Sequence, residues 1–336
     1  MTPRALLFLI ALATFGTPAA AQQAKYRAPR TESGQPDLQG VWNYSSDVPL
    51  ERPAAFAEKK HFTREEVLQQ RDAKTRALNT VGSLVPVEAV AINWLEYDAK
   101  AENLRTSLIT YPENGRLPKL VEGVRRVPGV DDFIAALNDA KGGIPPALLE
   151  GFGAGKKDGP EDLGAAERCL GGSGTPYVPG FDSNYLQIIQ SKDHVALLSE
   201  SSHTVKIVPL DQRTLPGDKL RGWYGYATGH WEGETLVVET RNFTNRTASF
   251  AGAGRAGDRV VTERFTRVSP QVIEYEATIV DPKTFENKIV MSFPMARTDA
   301  RLYEVACHEG NYSLAATLAG ARKEEQDAAR ATPPQP

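Results

Sequence analysis

The chain has 336 residues and a formal net charge of −3, and its acidic and basic residues are mixed without long blocks of one sign. This distribution gives no electrostatic basis for nucleic acid or an anionic membrane surface as a partner. The length suits one large domain or two small ones, and we expect residues 22–312 to form one domain.

The N-terminus has the pattern of a secretory signal peptide. Arg4 precedes an apolar run over residues 5–15, and small residues lead up to Gln22. We therefore predict a signal peptide over residues 1–21, cleavage after Ala21, and a periplasmic or secreted protein. The apolar run is too short to span a bilayer, which takes roughly 20 apolar residues, so no membrane span is expected.

The two cysteines are Cys169 and Cys307. In an exported protein a sparse, even pair is most simply a disulfide. The alternative is a pair of thiols for metal binding or catalysis, although the sequence has no CxxC motif and no cysteine with closely spaced histidines. We predict no metal site, because no two of the five histidines have the spacing of a metal pair on one helix or strand. A site assembled from distant residues stays an alternative.

Residues 22–183 are predicted to wrap around the rest of the chain as helices and loops. A capping box over Thr63–Glu66 predicts a helix to about residue 78. Residues 105–110 favour a strand, and Asn114-Gly115 favours a turn after it. A short helix is predicted over 131–140, and a flexible loop over the Gly- and Lys-rich residues 151–164.

Residues 184–312 are predicted to form the core of a mainly β protein. Short β-branched and aromatic runs recur between turn signals and predict strands at these positions: 185–191, 194–200, 203–209, 223–230, 234–241, 259–268, 272–281, 287–295 and 301–307. The pattern is clearest over Gly229–Thr240, where Glu232-Gly233 predicts a tight hairpin turn. No helical pattern intervenes, which favours an antiparallel meander.

A sheet of this many strands is expected to close into a barrel or to curve strongly, as in calycin-like proteins, because closure removes its exposed edges. Such a barrel can hold a small ligand in its interior. Residues 313–336 are predicted to form a helix, packed outside the barrel, and a tail.

Two histidines are the first candidates for acid/base catalysis. His203 shares strand parity with Val205 and Ile207, which predicts that it points into the barrel, as a core group or as a titratable group facing a ligand. His308 and Glu309 directly follow Cys307, so they form either an acid/base pair at the barrel mouth or a surface turn.

Other candidate motifs have simpler interpretations. Glu274 and Glu276 lie two residues apart on one face of a strand, which suits paired acid/base work, but their apolar strand mates favour a solvated outer face. The segment Gly252–Gly257 has the letters of a dinucleotide-binding loop, yet a strand follows it where a helix should begin. We therefore expect no organic cofactor.

Aromatic residues are frequent around the β tract, and most should fill the core. A few can line an apolar small-molecule pocket and present polar tips to it. The candidates for this role are Tyr185, Trp223, Trp231 and Tyr312.

The chain resembles a family of secreted bacterial proteins of unknown activity. The resemblance is carried by these blocks: 36–42 (PDLQGVW), 105–109 (RTSLI) with 115–116, 167–169 (ERC), 229–240 with 242–244, 263–268 (ERFTRV) and 306–312 (ACHEGNY). The resemblance implies that Arg105, Glu167, Arg168, His308 and Glu309 belong to one design. The chain departs from the family over residues 151–164.

The leading functional hypothesis is a small-molecule site inside or at the mouth of the barrel. It would catalyse proton transfer on an apolar or aromatic compound, as a lyase, isomerase or hydrolase. His203 and His308 are the acid/base candidates, and Glu309 or Glu167 would orient an imidazole. Arg105 or Arg168 would bind an anionic or carbonyl oxygen.

Two alternatives are a periplasmic binder of lipid or hydrophobic molecules and a structural module of the cell envelope. Catalysis predicts polar groups that converge and have perturbed pKa values. Carriage predicts an apolar interior, and a module predicts an exposed apolar patch. The sequence makes no prediction of the oligomeric state.

Overall fold

The computed structural model describes residues 26–72, 100–126, 157–163, 168–169, 175–180, 183–201, 204–211, 217 and 219–331. The predicted signal peptide and the helix predicted over 131–140 lie outside these residues, as does half of the predicted loop over 151–164.

The protein is mainly β and antiparallel, as the sequence predicted. Its strands are β1 (Gly40–Asn43), β2 (Ile109–Tyr111), β3 (Tyr185–Gln190), β4 (His194–Ser199), β5 (Thr204–Pro209), β6 (Tyr226–Glu232), β7 (Thr235–Arg241), β8 (Val260–Ser269), β9 (Val272–Val280) and β10 (Ile289–Thr298). They form a nearly closed barrel in the order β5-β4-β3-β1-β10-β9-β8-β7-β6, and β2 pairs with β10 beside this path.

Strand β1 is the main departure from the predicted meander. The chain meanders from β3 to β5 and again from β6 to β10, and β1 joins the two halves by pairing with both β3 and β10. The sequence analysis placed residues 40–43 in the wrapping segment, because four residues are too few to show an alternating pattern. Its Trp42 is fully buried, so an N-terminal strand contributes to the core.

The two end strands, β5 and β6, close the barrel without a ladder among the described residues. Eight antiparallel pairings separate them along the sheet, so they run in the same direction. A Cβ atom on Gly229 of β6 would lie 2.6 Å from Cγ1 of Val208 on β5. Glycine at position 229 therefore lets the two strands approach each other.

The predicted strand over 301–307 is wrong: these residues lie in no strand, and the amide of Tyr303 donates to the side chain of Glu200 at 2.7 Å. The hairpin prediction is confirmed, with the turn one residue later than predicted: Gly233 and Glu234 connect β6 to β7, and Gly233 has a φ of 62°. The strand over 105–110 begins later than predicted, as β2 starts at Ile109.

Two α-helices in the described part of the chain lie outside the barrel. Helix α1 covers residues 64–72 of the described chain, and the predicted capping box is present: the amide of Glu66 donates to Oγ1 of Thr63 at 3.2 Å, and the amide of Thr63 donates to Oε2 of Glu66 at 2.7 Å. Helix α2 (Tyr312–Ala331) contacts the loop at 157–158 through Arg322, which donates to two backbone carbonyls. Neither described helix combines the length and the apolar character needed to cross a membrane.

A group of aromatic side chains packs together in the barrel interior, beside aliphatic residues of the strands. Tyr177, from the segment 175–180, packs edge-on against Tyr275 of β9, with ring centroids 5.9 Å apart, and the ring of Phe293 on β10 lies 4.9 Å from Tyr275. Phe265 of β8 lies 5.1 Å from Tyr275. The predicted disulfide is present and links Cys169 to Cys307.

Candidate functional site

A buried carboxylate on β8 is the centre of the candidate site. The strand alternates so that Val261, Glu263 and Phe265 point inward, and Glu263 is 0% exposed. Such a charge is costly in an apolar interior unless it is paired and hydrogen-bonded. Oε2 of Glu263 accepts from Nζ of Lys206 at 2.6 Å, and Oε1 accepts from the hydroxyl of Tyr275 at 2.9 Å.

Different strands bring these groups together. Lys206 is the inward residue between the outward Val205 and Ile207 of β5, so its side chain crosses the interior towards β8. Tyr275 lies on β9 and pairs with Phe265 of β8. Phe265 is the next inward-facing residue after Glu263 on β8. The backbone amide of Tyr177 donates to the Tyr275 hydroxyl at 2.9 Å, which leaves the phenolic proton for Glu263.

The electrostatics of the cluster keep its phenols protonated. Burial, and then the charge of Glu263, raise the pKa of Tyr275 well above its usual value, and the same two causes raise the pKa of Tyr177. Tyr275 is therefore a hydrogen-bond donor at neutral pH. Burial lowers the pKa of Lys206, the Glu263 carboxylate opposes that effect, and Arg259 adds to it.

Lys206 is the member of the cluster that solvent reaches. Its side chain is 9% exposed, whereas that of Glu263 is fully buried. An ammonium group has three N–H donors. Within the described part of the chain, Nζ has one hydrogen-bond acceptor, Glu263, and it lies 5.0 Å from the centre of the Tyr177 ring. Lys206 thus has N–H bonds to offer to another molecule.

Other inward polar atoms also lack a protein partner among the described residues. These are the hydroxyls of Ser199 and Thr240 and the indole nitrogen of Trp231. Buried polar groups normally find a hydrogen-bond partner in the protein, in ordered water or in a ligand. Trp231, one of the predicted ligand-binding residues, packs against the core.

The predicted pair at the disulfide lies on the surface. His308 and Glu309 are exposed and occupy a turn between Cys307 and α2, and Tyr312 is 81% exposed. The acid/base interpretation placed them at the barrel mouth; the structure instead agrees with the alternative of a surface turn. Gly310 follows them in the same turn, and α2 begins at Tyr312.

The prediction that His203 points into the barrel assumed that Val205 and Ile207 point inward, and this assumption is wrong. Val205 and Ile207 are 51% and 54% exposed, whereas Val208 is fully buried, so β5 presents the opposite alternate residues to the interior. The apolar pair Val205 and Ile207 predicted the wrong inner face for β5, because periodicity alone does not show which face of a strand is covered. His203 and Glu167 themselves lie outside the described residues.

The two predicted arginines are not part of the buried cluster. Arg105 lies on the outer face of the barrel, where Nη2 contacts Oε1 of Glu274 at 3.1 Å. Arg168 is half-buried next to Cys169, which the disulfide links to Cys307 at the start of the turn with His308. Tyr185 points outward from β3, and Trp223 is 37% exposed in the loop before β6.

Sequence reasoning missed all three residues of the buried cluster. Glu274 and Glu276 do lie on the outer face, as predicted, and Tyr275 between them points inward. The available signal was Glu263, a carboxylate at the apolar parity of β8, since acidic residues are almost never fully buried unless they are paired. Its partner could not be found that way, because Lys206 is 57 residues away in sequence.

No group of three or more His, Cys, Asp or Glu side chains in the described ranges could hold a metal ion. No protein-family model, curated protein or solved structure matches the chain. The resemblance in the sequence blocks therefore stays a prediction.

Proposed function

We propose that this chain is an exported protein that binds a small apolar or aromatic compound inside the barrel and acts on it by proton transfer. The observation that supports the proposal is the buried carboxylate of Glu263, held by Lys206 and Tyr275 among aromatic rings. Converging polar groups with displaced pKa values are the feature that distinguished catalysis from its alternatives. These three residues take the place of His203 and His308.

The cluster suggests a division of roles. Lys206 contacts the compound, because it is the partly exposed member and has unmatched N–H bonds. Glu263 accepts or returns the proton, and Tyr275 holds the carboxylate in position through its hydroxyl. The rings of Tyr177 and its neighbours contact the apolar body of the compound. This division suits an isomerase, a lyase or a hydrolase that needs no organic cofactor.

The test begins with compounds that copurify with the protein from its native source, identified by native mass spectrometry. We expect Lys206→Met to weaken retention of the bound compound by at least about tenfold, which corresponds to about 1.4 kcal/mol of binding free energy. Arg105→Met is the matched control on the outer face and should retain the compound.

Turnover of the same compound separates catalysis from carriage. Wild-type protein should convert it, and Glu263→Gln should bind it without conversion. Recovery of the compound unchanged after incubation with wild-type protein would favour carriage. Equal retention of the compound by wild type and Lys206→Met would show that the compound does not bind at Lys206 inside the barrel.

A second candidate function, a module of the cell envelope, is favoured by an apolar patch on the outer face of β3–β5. Ile189, Val205 and Ile207 are 47%, 51% and 54% exposed. The strand register places Ile189 beside Ala196 and Ala196 beside Ile207, so the patch is continuous across three strands. Exposed patches of this kind are typical of protein–protein contacts.

This candidate predicts that the purified protein sediments with isolated envelope fractions. The double variant Val205→Glu/Ile207→Glu should lose that association and should keep the interior compound, since both changes lie outside the barrel. Association that is the same for both proteins would eliminate the patch as the contact.

A further inference from the structure

We infer that Lys206 bonds covalently to its ligand: its amine condenses with an aldehyde or a ketone and forms an imine inside the barrel. The inference rests on the function proposed above and adds the substrate class, a small carbonyl compound with an apolar or aromatic body.

The surroundings of Lys206 separate it from lysines on the surface. Its side chain is 9% exposed, whereas those of Lys60 and Lys283 are 56% and 75% exposed. A buried amine is poorly solvated, which disfavours its charged form and makes it a better nucleophile at neutral pH. Burial lowers the pKa of Lys206, the Glu263 carboxylate opposes this effect, and Arg259 adds to it.

The ion pair supplies a route to the free amine that needs no proton exchange with water. Nζ of Lys206 lies 2.6 Å from Oε2 of Glu263, so a proton can pass directly from the ammonium to the carboxylate. The pair then consists of a neutral amine and a carboxylic acid, and the cluster keeps the same total charge.

The condensation balances within these groups. The Nζ lone pair attacks the carbonyl carbon, a C–N bond forms, and the carbonyl oxygen takes the proton held by Glu263. The nitrogen then returns a proton to Glu263, which passes it to the hydroxyl group as that group leaves as water. Ammonium and carbonyl compound become a protonated imine and one water molecule, and the imine nitrogen takes the place of the ammonium beside Glu263.

Aromatic rings define the body of the carbonyl compound. Nζ of Lys206 lies 5.0 Å from the Tyr177 ring centre, and Tyr44 and Phe265 lie 5.9 and 6.3 Å from the same ring. These rings are 3% exposed or less, so they surround the imine nitrogen with apolar groups, and the protonated imine retains the attraction of a cation for the Tyr177 face. Benzaldehyde and hexanal are suitable probes of the aromatic and the aliphatic case.

The test uses the full-length mature protein, each aldehyde in turn, and sodium cyanoborohydride, which reduces an imine to a stable secondary amine. Peptide mapping by mass spectrometry then locates the adduct. We expect modification at Lys206 to exceed that at exposed Lys192, since each unit by which a lysine pKa is lowered gives about tenfold more free amine. Lys206→Arg keeps the positive charge beside Glu263 and should lose this adduct while Lys192 reacts as before.

Binding is followed in parallel by tyrosine fluorescence, so that the two proposals can fail separately. An aldehyde that quenches the fluorescence of wild-type protein but leaves Lys206 unmodified overturns the imine and leaves non-covalent binding in place. Modification of Lys192 alone, without quenching by either aldehyde, overturns the imine and counts against the interior site as well.

Discussion

Two carboxylates on neighbouring strands have the same kinds of partner and opposite surroundings. Glu263 on β8 contacts a lysine and a tyrosine hydroxyl inside the barrel, where its side chain is 0% exposed. Glu274 on β9 contacts Arg105 and, at 2.8 Å, the hydroxyl of Ser292 on the outer face, where its side chain is 34% exposed.

The comparison shows that burial, and not the types of residue involved, decides how strongly the two charges of a pair depend on each other. Water screens the outer pair and solvates each partner if the other is removed, so such a pair contributes little to stability. Inside the barrel neither partner can be solvated alone, and each charge depends on the other. Because of this dependence, the pair affects the stability of the fold and also holds Glu263 in place for proton transfer.

The largest difference is expected when one partner is removed. Lys206→Ala should lower the free energy of unfolding by about 3–5 kcal/mol, because it leaves the Glu263 charge buried without its counter-ion. Arg105→Ala, the equivalent change outside, should cost no more than about 1 kcal/mol. Urea unfolding followed by circular dichroism measures both.

A neutral double replacement distinguishes the lost charge from lost packing. Lys206→Met/Glu263→Leu should lie within about 2 kcal/mol of wild type, since apolar residues of similar volume commonly replace a buried pair at little cost. A double variant as unstable as the sum of the single changes would show that the two residues act independently.

The next largest effect concerns the two hydroxyls. Tyr275→Phe removes a hydrogen bond to a buried charge and should cost about 1.5–3 kcal/mol. Ser292→Ala should cost about 1 kcal/mol or less, because its carboxylate partner keeps contact with water. Similar losses at the two sites in urea unfolding would contradict the proposed role of burial.

The pH dependence of stability should separate the regions further. The raised pKa values of Tyr275 and Tyr177, which face Glu263, contribute stability that is present below the unfolded-state pKa of about 10 and is lost as the pH rises above it. Lys206 faces Glu263 and Arg259, and its pKa is lowered in the folded state. Its contribution to stability therefore increases as the pH rises, up to the unfolded-state pKa of about 10.4.

Two tyrosines oppose one lysine, so we expect a net loss of stability above about pH 10, with each tyrosine contributing at most about 1.4 kcal/mol per pH unit. Unfolding curves between pH 9 and about pH 11 measure this slope. Tyr275→Phe should flatten it, and Ser292→Ala should leave it unchanged. If Tyr275→Phe and wild type have the same slope, Tyr275 is not the cause of the pH dependence.

The smallest expected effect is the salt dependence of the outer pair. The contribution of Arg105–Glu274 should fall towards zero in about 1 M salt, where screening acts over roughly 3 Å. The Lys206–Glu263 coupling should persist in the same salt. A double-mutant cycle for each pair, run in low and high salt, checks this difference.

The sequence by itself determined the local parts of this protein. Alternating residues gave the strands from β3 to β10, Glu232-Gly233 gave the hairpin, Thr63–Glu66 gave the helix cap, and two cysteines gave the disulfide. Each of these depends on residues close together in the chain, or on a choice with one simple solution, as for the cysteine pair.

The tertiary structure decided which face of each strand became the inside and which distant residues met there. Parity fixes that Lys206 and Ile207 point in opposite directions, but the packing of Glu263 and Tyr177 against Lys206 decides which of the two is buried. For that reason the sequence favoured His203 and His308, and the folded chain brought Lys206, Glu263 and Tyr275 together. A contact between residues far apart in sequence leaves no periodic trace in either segment.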